Sequence, residues 1–193
     1  MKCLIVLAHP LHDSLCSHLA KETIVHMESK GYDITVKDLY KENFDPLLGA
    51  EERASYYAEM VMDECLQKDI AQLQETESLI LIFPTWWFSF PAILKGWFDR
   101  VWAPGYAYNH ASDFGPITPN LTNLREVKVI TTLGAPWWVD FFILQKPVKK
   151  VLKIALLGAC ANKATFKMLS IYKSEKLTHT KVENFVKKIQ SNF

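Results

Sequence analysis

The chain has little of what marks several common classes. Its 193 residues include only seven glycines, and none forms the G-x-G-x-x-G of a dinucleotide loop or the Walker phosphate loop. The four cysteines, Cys3, Cys16, Cys65 and Cys160, make no C-x-x-C and have no histidine at ligand spacing, which argues against a zinc site. Cys3 and Cys160 lie in apolar runs and read as small buried hydrophobes. Charge of one sign is not in excess: 22 Lys plus Arg stand against 21 Asp plus Glu, so no nucleic-acid footprint is expected. The lysines of the last thirty residues or so are spread over strand and helix patterns and read as a solvated face. No apolar run reaches the ~20 residues that cross a bilayer, and Cys3–Ala8 is too short for a signal-peptide core. The expectation is a cytoplasmic protein without membrane insertion, folded as one domain over residues 1–193.

What is present is alternation. Cys3–Ala8 has the length and content of a strand buried on both faces. His9-Pro10 ends it, and Asp13 or Ser14 can cap a helix through about Ser29 that Gly31 closes. Tyr32–Leu39 reads as a second strand with Ile34, Val36 and Leu39 as core candidates. A loop Tyr40–Gly49 follows, then a polar helical pattern from Glu51 to about Gln74 and a third buried strand, Ser78–Phe83. Pro91 suits the first position of a helix running to about Trp102. Ala103–Asn123 reads as a long surface loop, Glu126–Thr132 as a fourth strand and Trp137–Leu157 as mainly helical, with Pro147 starting or interrupting it. Lys163–Leu169 reads as a fifth strand and Glu175–Ser191 as a final amphipathic helix. Such alternation predicts a doubly wound α/β fold with a parallel sheet.

In such sheets ligands bind beyond the carboxyl ends of the strands, where strand order reverses. Three segments fall there. His9–Ser17 leads into a helix N-terminus, whose free N–H groups and dipole favour a phosphate. Ser14, Ser17 and the His9 ring can add donors; taken alone, the segment reads first as an ordinary capped helix behind a turn. Phe83–Phe90 packs five aromatics into eight residues. Part of that cluster serves a core, but adjacent Trp86 and Trp87 must point in different directions, so one is expected to face a ligand or another subunit. Thr131-Thr132-Leu133-Gly134 ends the fourth strand, and Gly134 permits close backbone approach to a ligand. By itself it is a simple strand-to-helix turn.

The run Phe83-Pro84-x-x-Trp87-Phe88-Ser89-x-Pro91-Ala92-Ile93-Leu94-Lys95-Gly96-Trp97-Phe98-Asp99-Arg100-Val101 resembles the best-known segment of the flavodoxin-like NAD(P)H dehydrogenase (quinone) family. Ala8-His9-Pro10 with Ser14-Leu15, Asp38-Leu39-Tyr40, Phe44-Asp45-Pro46 and Gly105-Tyr106-Ala107-Tyr108 are similar to that family too. The resemblance runs from Met1 through Gly134 and weakens beyond. It implies a five-stranded sheet of order 2-1-3-4-5 and a bound flavin, FAD or FMN, reduced by NAD(P)H and reoxidised by a quinone-like acceptor. It further implies His9, Ser14, Leu15 and Cys16 near the flavin phosphates, Pro84, Thr85, Trp86, Trp87 and Phe88 along the isoalloxazine, and Thr131, Thr132, Leu133 and Gly134 closing the pocket. Homodimers with sites at the subunit boundary are also implied, with the aromatics of Trp97–Tyr108 as interface or core. Two departures stand out: Cys16 replaces the family's usual Asn or Thr, and Leu133 interrupts its Thr-Thr-Gly-Gly turn. The tyrosine and histidine that assist hydride transfer in longer members have no clear counterpart, and Trp137 or Trp138 is the substitute expected to shape the acceptor pocket. A flavodoxin-type electron carrier and a flavin-binding regulatory subunit of a membrane transport system are the rival readings.

Overall fold

The unbroken apolar runs of the sequence become the central strands. In the computed structural model, described here for residues 1–57, 60–110 and 115–193, β1 (Lys2–Leu7), β3 (Ser78–Pro84) and β6 (Glu126–Leu133) are buried along almost their whole length. They are flanked by β2 (Asp33–Asp38) and β7 (Thr165–Tyr172) in a five-stranded sheet of order β2-β1-β3-β6-β7. All neighbours are parallel. Two short strands, β4 (Tyr108–Asn109) and β5 (Thr118–Pro119), pair antiparallel apart from it. Counting main-sheet strands only, the order is the expected 2-1-3-4-5.

Successive side chains of a strand point to opposite faces, and the core splits accordingly. Leu4, Val6, Leu79, Leu81, Phe83, Val127 and Val129 pack on one side with α3 (Glu64–Glu75) and α4 (Ala92–Val101). Cys3, Ile5, Leu7, Ile80, Ile82 and Ile130 pack on the other with α1 (Leu15–Ser29) and α7 (His179–Asn192). Cys3 and Cys160 are buried as expected, and burial pushes their thiols up to about 11 and about 12.

Several boundaries differ from the sequence reading. Glu51–Gln74 is not one helix. Instead α2 (Ala50–Ala54) runs into a 3₁₀ turn, Ser55–Tyr57, and α3 starts afresh at Asp63, whose carboxylate accepts from the Leu66 N–H at 2.7 Å. Residues 58–59 of that expected helix and 111–114 of the expected loop lie outside the described residues. The loop itself contains the β4–β5 pairing. Pro91 sits one position before α4 with extended backbone, its carbonyl accepting from Leu94 and Lys95. Edge strands were displaced more than central ones: β7 ends three residues later than expected, and Val36 on β2 is exposed. An edge strand is buried on one face at most, so a β-branched residue there carries no guarantee of burial. Pro147 does start a helix, α5 (Pro147–Lys150), which continues through a π-helical stretch Val151–Leu156 into α6 (Leu157–Cys160). A separate π-helical turn, Val139–Ile143, precedes it. The aromatics Trp97, Phe98 and Trp102 are buried and stack edge-on with one another at 5.4–6.3 Å. All three are buried within the chain, and Phe98 and Trp102 also border an open groove.

Candidate functional site at the carboxyl edge of the sheet

Parallel register places the ends of β1, β3, β6 and β7 along one edge. Leu7 pairs with Ile82, Pro84 with Thr132, and Leu133 with Tyr172. The segments that follow these strands are therefore neighbours although they lie far apart in sequence.

After β1, Ser14 caps α1 by accepting from the Ser17 N–H at 3.2 Å. The Ser17 hydroxyl donates to the Leu11 carbonyl at 3.1 Å and lies 2.9 Å from that of Ser14. The two hydroxyls thus serve the turn first. What remains open are the N–H groups of Leu15 and Cys16, which as first-turn amides have no intrahelical acceptor. His9 Nδ1 accepts from the Leu11 N–H at 3.1 Å, which assigns the proton of the neutral ring to Nε2 as a free donor. Partial burial holds the His9 pKa below its ordinary value, so the neutral ring predominates at pH 7.

After β3, the chain makes a two-residue turn closed by the Ser89 N–H donating to the Trp86 carbonyl at 2.9 Å. Its central residues, Trp87 and Phe88, both have positive φ, 50° and 56°. Two consecutive left-handed residues without glycine cost about 1–3 kcal/mol each, and the return is visible in the side chains. Trp87 is 98% exposed and Trp86 43%. Trp86 lies 6.2 Å from the His9 ring, joining the first segment to the second. Phe83 and Phe90, by contrast, face inward, 5.6 Å apart. The aromatic cluster divides as expected between core and open face.

After β6, Thr131, Thr132 and Leu133 are buried side chains. The Thr131 hydroxyl lies 2.5 Å from that of Thr85, and the Thr85 N–H donates to the Thr132 carbonyl at 2.8 Å. Cys16 Sγ lies 3.6 Å from Thr132 Oγ1, and burial pushes the Cys16 thiol up to about 11. Cys16, Thr131 and Leu133 can thus reach a ligand only through their main chain. Cys16 does more as a bridge from α1 to β6 than as a nucleophile.

The segments after β3 and β6 line a cavity of about 320 Å³ through Pro84, Thr85, Trp86, Trp87, Thr132 and Gly134, with Ser174 and Glu175 completing the wall. Its size falls in the range of small-ligand sites, roughly 300–1,000 Å³. Ser174 and Glu175 escaped the sequence reading because β7 was ended at Leu169. The alternation Leu169-Ser170-Ile171-Tyr172 was the signal that the strand continued. Glu175 reaches over Gly134, where a Cβ would meet its Oε1 at 3.4 Å, an ordinary contact. Of the expected site residues, His9, Ser14, Leu15, Cys16, Phe88, Thr131 and Leu133 do not line this cavity, nor do Trp137 and Trp138. Trp137 instead borders a different cavity of about 460 Å³ beside α7.

Residues 1–155 match the sequence pattern of the flavodoxin-like fold family. The chain belongs to that family. Among relatives of this flavodoxin-like chain, NAD(P)H dehydrogenase [quinone] 1 of Cavia porcellus is 34% identical over 152 residues, 69% of this chain and 54% of that protein. Smu.1420 from Streptococcus mutans UA159 superposes with a TM-score of 0.85 at 29% identity, covering 99% of this chain and 97% of the other. The NAD(P)H:quinone oxidoreductase from Methanothermobacter marburgensis superposes at 0.83 with 26% identity, over 99% and 93% of the two chains. The chain spans about half the length of these curated relatives that it matches. No helix among the described residues is long and apolar enough to cross a membrane, and none of their His, Cys, Asp and Glu side chains cluster to hold a metal.

Proposed function

We propose that the chain is a single flavin-binding domain working as an NAD(P)H oxidoreductase, with FMN or FAD bound at the carboxyl edge of the sheet and a quinone-like molecule as acceptor. The observation that carries this reading is the strained Trp86–Ser89 turn, with Trp86 and Trp87 standing open, beside the unpaired amides of α1. The residues present fit such a cofactor: an indole free on both faces suits a flat conjugated ring, and the Leu15 and Cys16 amides with His9 Nε2–H suit a phosphate. Relatives named for NAD(P)H and quinone support the substrate classes.

Bound flavin would supply the two-electron chemistry between NAD(P)H and acceptor. The chain's own residues bind and orient. Trp86 and Trp87 would hold the ring, the main chain of Thr85, Thr132 and Gly134 would meet its polar edge, and Ser174 and Glu175 would hydrogen-bond hydroxyl groups. Among the described residues that line the cavity Glu175 is the one titratable group, and no proton donor to the acceptor is assigned to the chain in this reading. We further propose a homodimer. A second, largely apolar groove of about 420 Å³, lined in part by Leu48, Phe90, Trp102, Ile117 and Leu156, with Arg53, Lys95 and Asp99 mixed among them, supports it, since mixed charge permits a patch to face its own copy.

The test is an absorbance spectrum after incubation with FMN or FAD, followed by anaerobic NADPH and then a quinone. Flavin bands that bleach and return are the expected result, and a protein that takes up neither flavin overturns the reading. Bleaching absent despite bound flavin would point to an electron carrier. Trp87→Ala is expected to weaken flavin binding by at least about tenfold, from a ring-stacking contribution of about 1–3 kcal/mol. Because Trp87 is almost fully exposed, the melting temperature without flavin should not fall. A parallel loss of stability would sink the assignment of Trp87 to the ligand.

A further inference from the structure

The cavity of about 460 Å³ between the end of β7 and α7 adjoins the candidate site without belonging to it. One stretch of chain separates the two: Ser174 and Glu175 wall the candidate site, and Tyr172 and Lys173, directly before them, wall the second cavity. The floor of the second is apolar, made by Ile171, Leu177 and Phe185, which pack on the α1 and α7 face of the sheet. The groove given to a second copy is bordered by Phe98 and Trp102 of the opposite face, so the two openings do not compete for one surface. Charge separates the cavities further. The first holds a single charged side chain, Glu175. The second holds three, all of them lysine: Lys173, Lys181 and Lys188. Lys181 and Lys188 lie two turns apart on one face of α7. Glu183, the one carboxylate of that helix, stands 3.3 Å from His179 Nε2 instead. Lys173 has left-handed backbone, φ 56°, which a residue with a side chain seldom adopts. Its N–H donates to the Ala135 carbonyl at 3.3 Å, tying the cavity wall to the segment after β6.

We propose that this cavity takes the 2′-phosphorylated adenosine half of NADPH while the nicotinamide end reaches the neighbouring site, so that the chain prefers NADPH to NADH. The identity of the ligand rests on the oxidoreductase reading; the class of ligand rests on the cavity. An apolar floor with a few convergent polar groups is the usual make-up of a small-molecule site, and here it suits a flat adenine. A phosphate monoester carries close to two negative charges at pH 7, which lysine meets as a point charge. Phosphates set beside Glu175 would face like charge, whereas the lysine-lined cavity attracts them. A dinucleotide lying across the shared wall therefore has its ring end on the side of Glu175 and its phosphates on the side of the lysines. NADH lacks the 2′-phosphate and leaves part of that positive charge unmatched. Strained backbone persists where the surrounding structure holds it in place for use, and Lys173 is such a residue.

The experiment is calorimetric titration of the full chain, with and without added FMN, by adenosine 2′,5′-bisphosphate and by adenosine 5′-monophosphate, which differ only in the 2′-phosphate. The bisphosphate is expected to bind at least about tenfold more tightly, the usual return on a hydrogen bond to a charged group. K181Q/K188Q should lose that difference while keeping the wild-type circular dichroism and melting temperature, because both side chains are exposed. K187Q removes a charge from the same helix outside the cavity and should keep the difference. Equal affinity for the two nucleotides overturns the proposal, as does an undiminished difference in K181Q/K188Q or an equal loss in K187Q. Displacement of the bisphosphate by FAD at concentrations where FMN leaves it bound also overturns it, giving the cavity to a flavin's adenosine half instead. None of these readouts needs turnover. A chain that binds the bisphosphate but takes up neither flavin would sink the oxidoreductase reading alone, and bound flavin that bleaches equally fast with NADPH and NADH, in a chain indifferent to the 2′-phosphate, would sink this one alone.

Discussion

Arg100→Met will destabilise the protein by about 3–5 kcal/mol, the usual effect of removing one partner from a buried ion pair. Arg100 and Glu52 are both buried. The guanidinium donates to the Glu52 carboxylate from Nε at 2.9 Å, and its second arm donates to the Asp45 carbonyl at 2.8 Å. One side chain of α4 thereby fastens both α2 and the Phe44–Pro46 loop. Burial already holds the Glu52 carboxyl above its ordinary range against the pull of Arg100, with Asp63 and Asp45 adding to the rise. Without the arginine that carboxyl rises further. A folded-state pKa above the unfolded value of about 4.3 means that the folded chain holds the proton more tightly. Its contribution to stability is therefore fully present below that value and lost as pH rises through the folded pKa. The variant should consequently recover part of its deficit, relative to wild type, as pH is lowered from 7 toward 5. Urea unfolding of both proteins at the two pH values checks this, and a deficit independent of pH would show that packing, not the orphaned carboxylate, carries the loss. The double variant with Glu52→Gln should be more stable than Arg100→Met at pH 7, because it removes the stranded charge.

Gly96→Ala is the second large effect, a loss of about 3 kcal/mol at the upper end of overpacking. A Cβ at Gly96 would stand 2.2 Å from the Pro46 carbonyl oxygen and 2.4 Å from its Cα. Those are backbone atoms of a loop held by Arg100 a single turn further along α4, so they cannot yield as the end of a flexible side chain can. Thermal melting reads the outcome. An alanine variant with wild-type stability would mean that the Asp45–Pro46 loop moves freely, and the tie between Arg100 and Asp45 would lose its meaning. Asp45-Pro46 and Gly96 stood out in the sequence as separate pieces of one resemblance; in the fold they touch.

The central strands were legible because burial on both faces leaves a continuous apolar run that no helix of that length shows between turn residues. The edges were not. Val36 is β-branched yet exposed, and β7 runs on to Tyr172 with only alternate residues inside. Ending that strand early hid Ser174 and Glu175 from the candidate site. The break between α2 and α3 was missed because a polar helical pattern continues through it, although Asp63 had the chemistry of a new cap. Trp97, Phe98 and Trp102 could be core or interface on sequence alone, since an aromatic side chain serves either; folding buries all three, with Phe98 and Trp102 also bordering a groove.

The sequence by itself determined the alternation of elements, the capped start of α1 and the concentration of aromatics after β3, because each depends on the propensities and periodicity of neighbouring residues. Only the tertiary structure decided which of those aromatics stand open, which side chains wall the cavity and which charges are stranded inside. Parallel pairing brings Pro84 beside Thr132 and Leu133 beside Tyr172, and folding sets Arg100 on Glu52 and Gly96 on Pro46. Contacts between residues some forty or more positions apart leave no mark on local patterning, so they exist only once the sheet has been built.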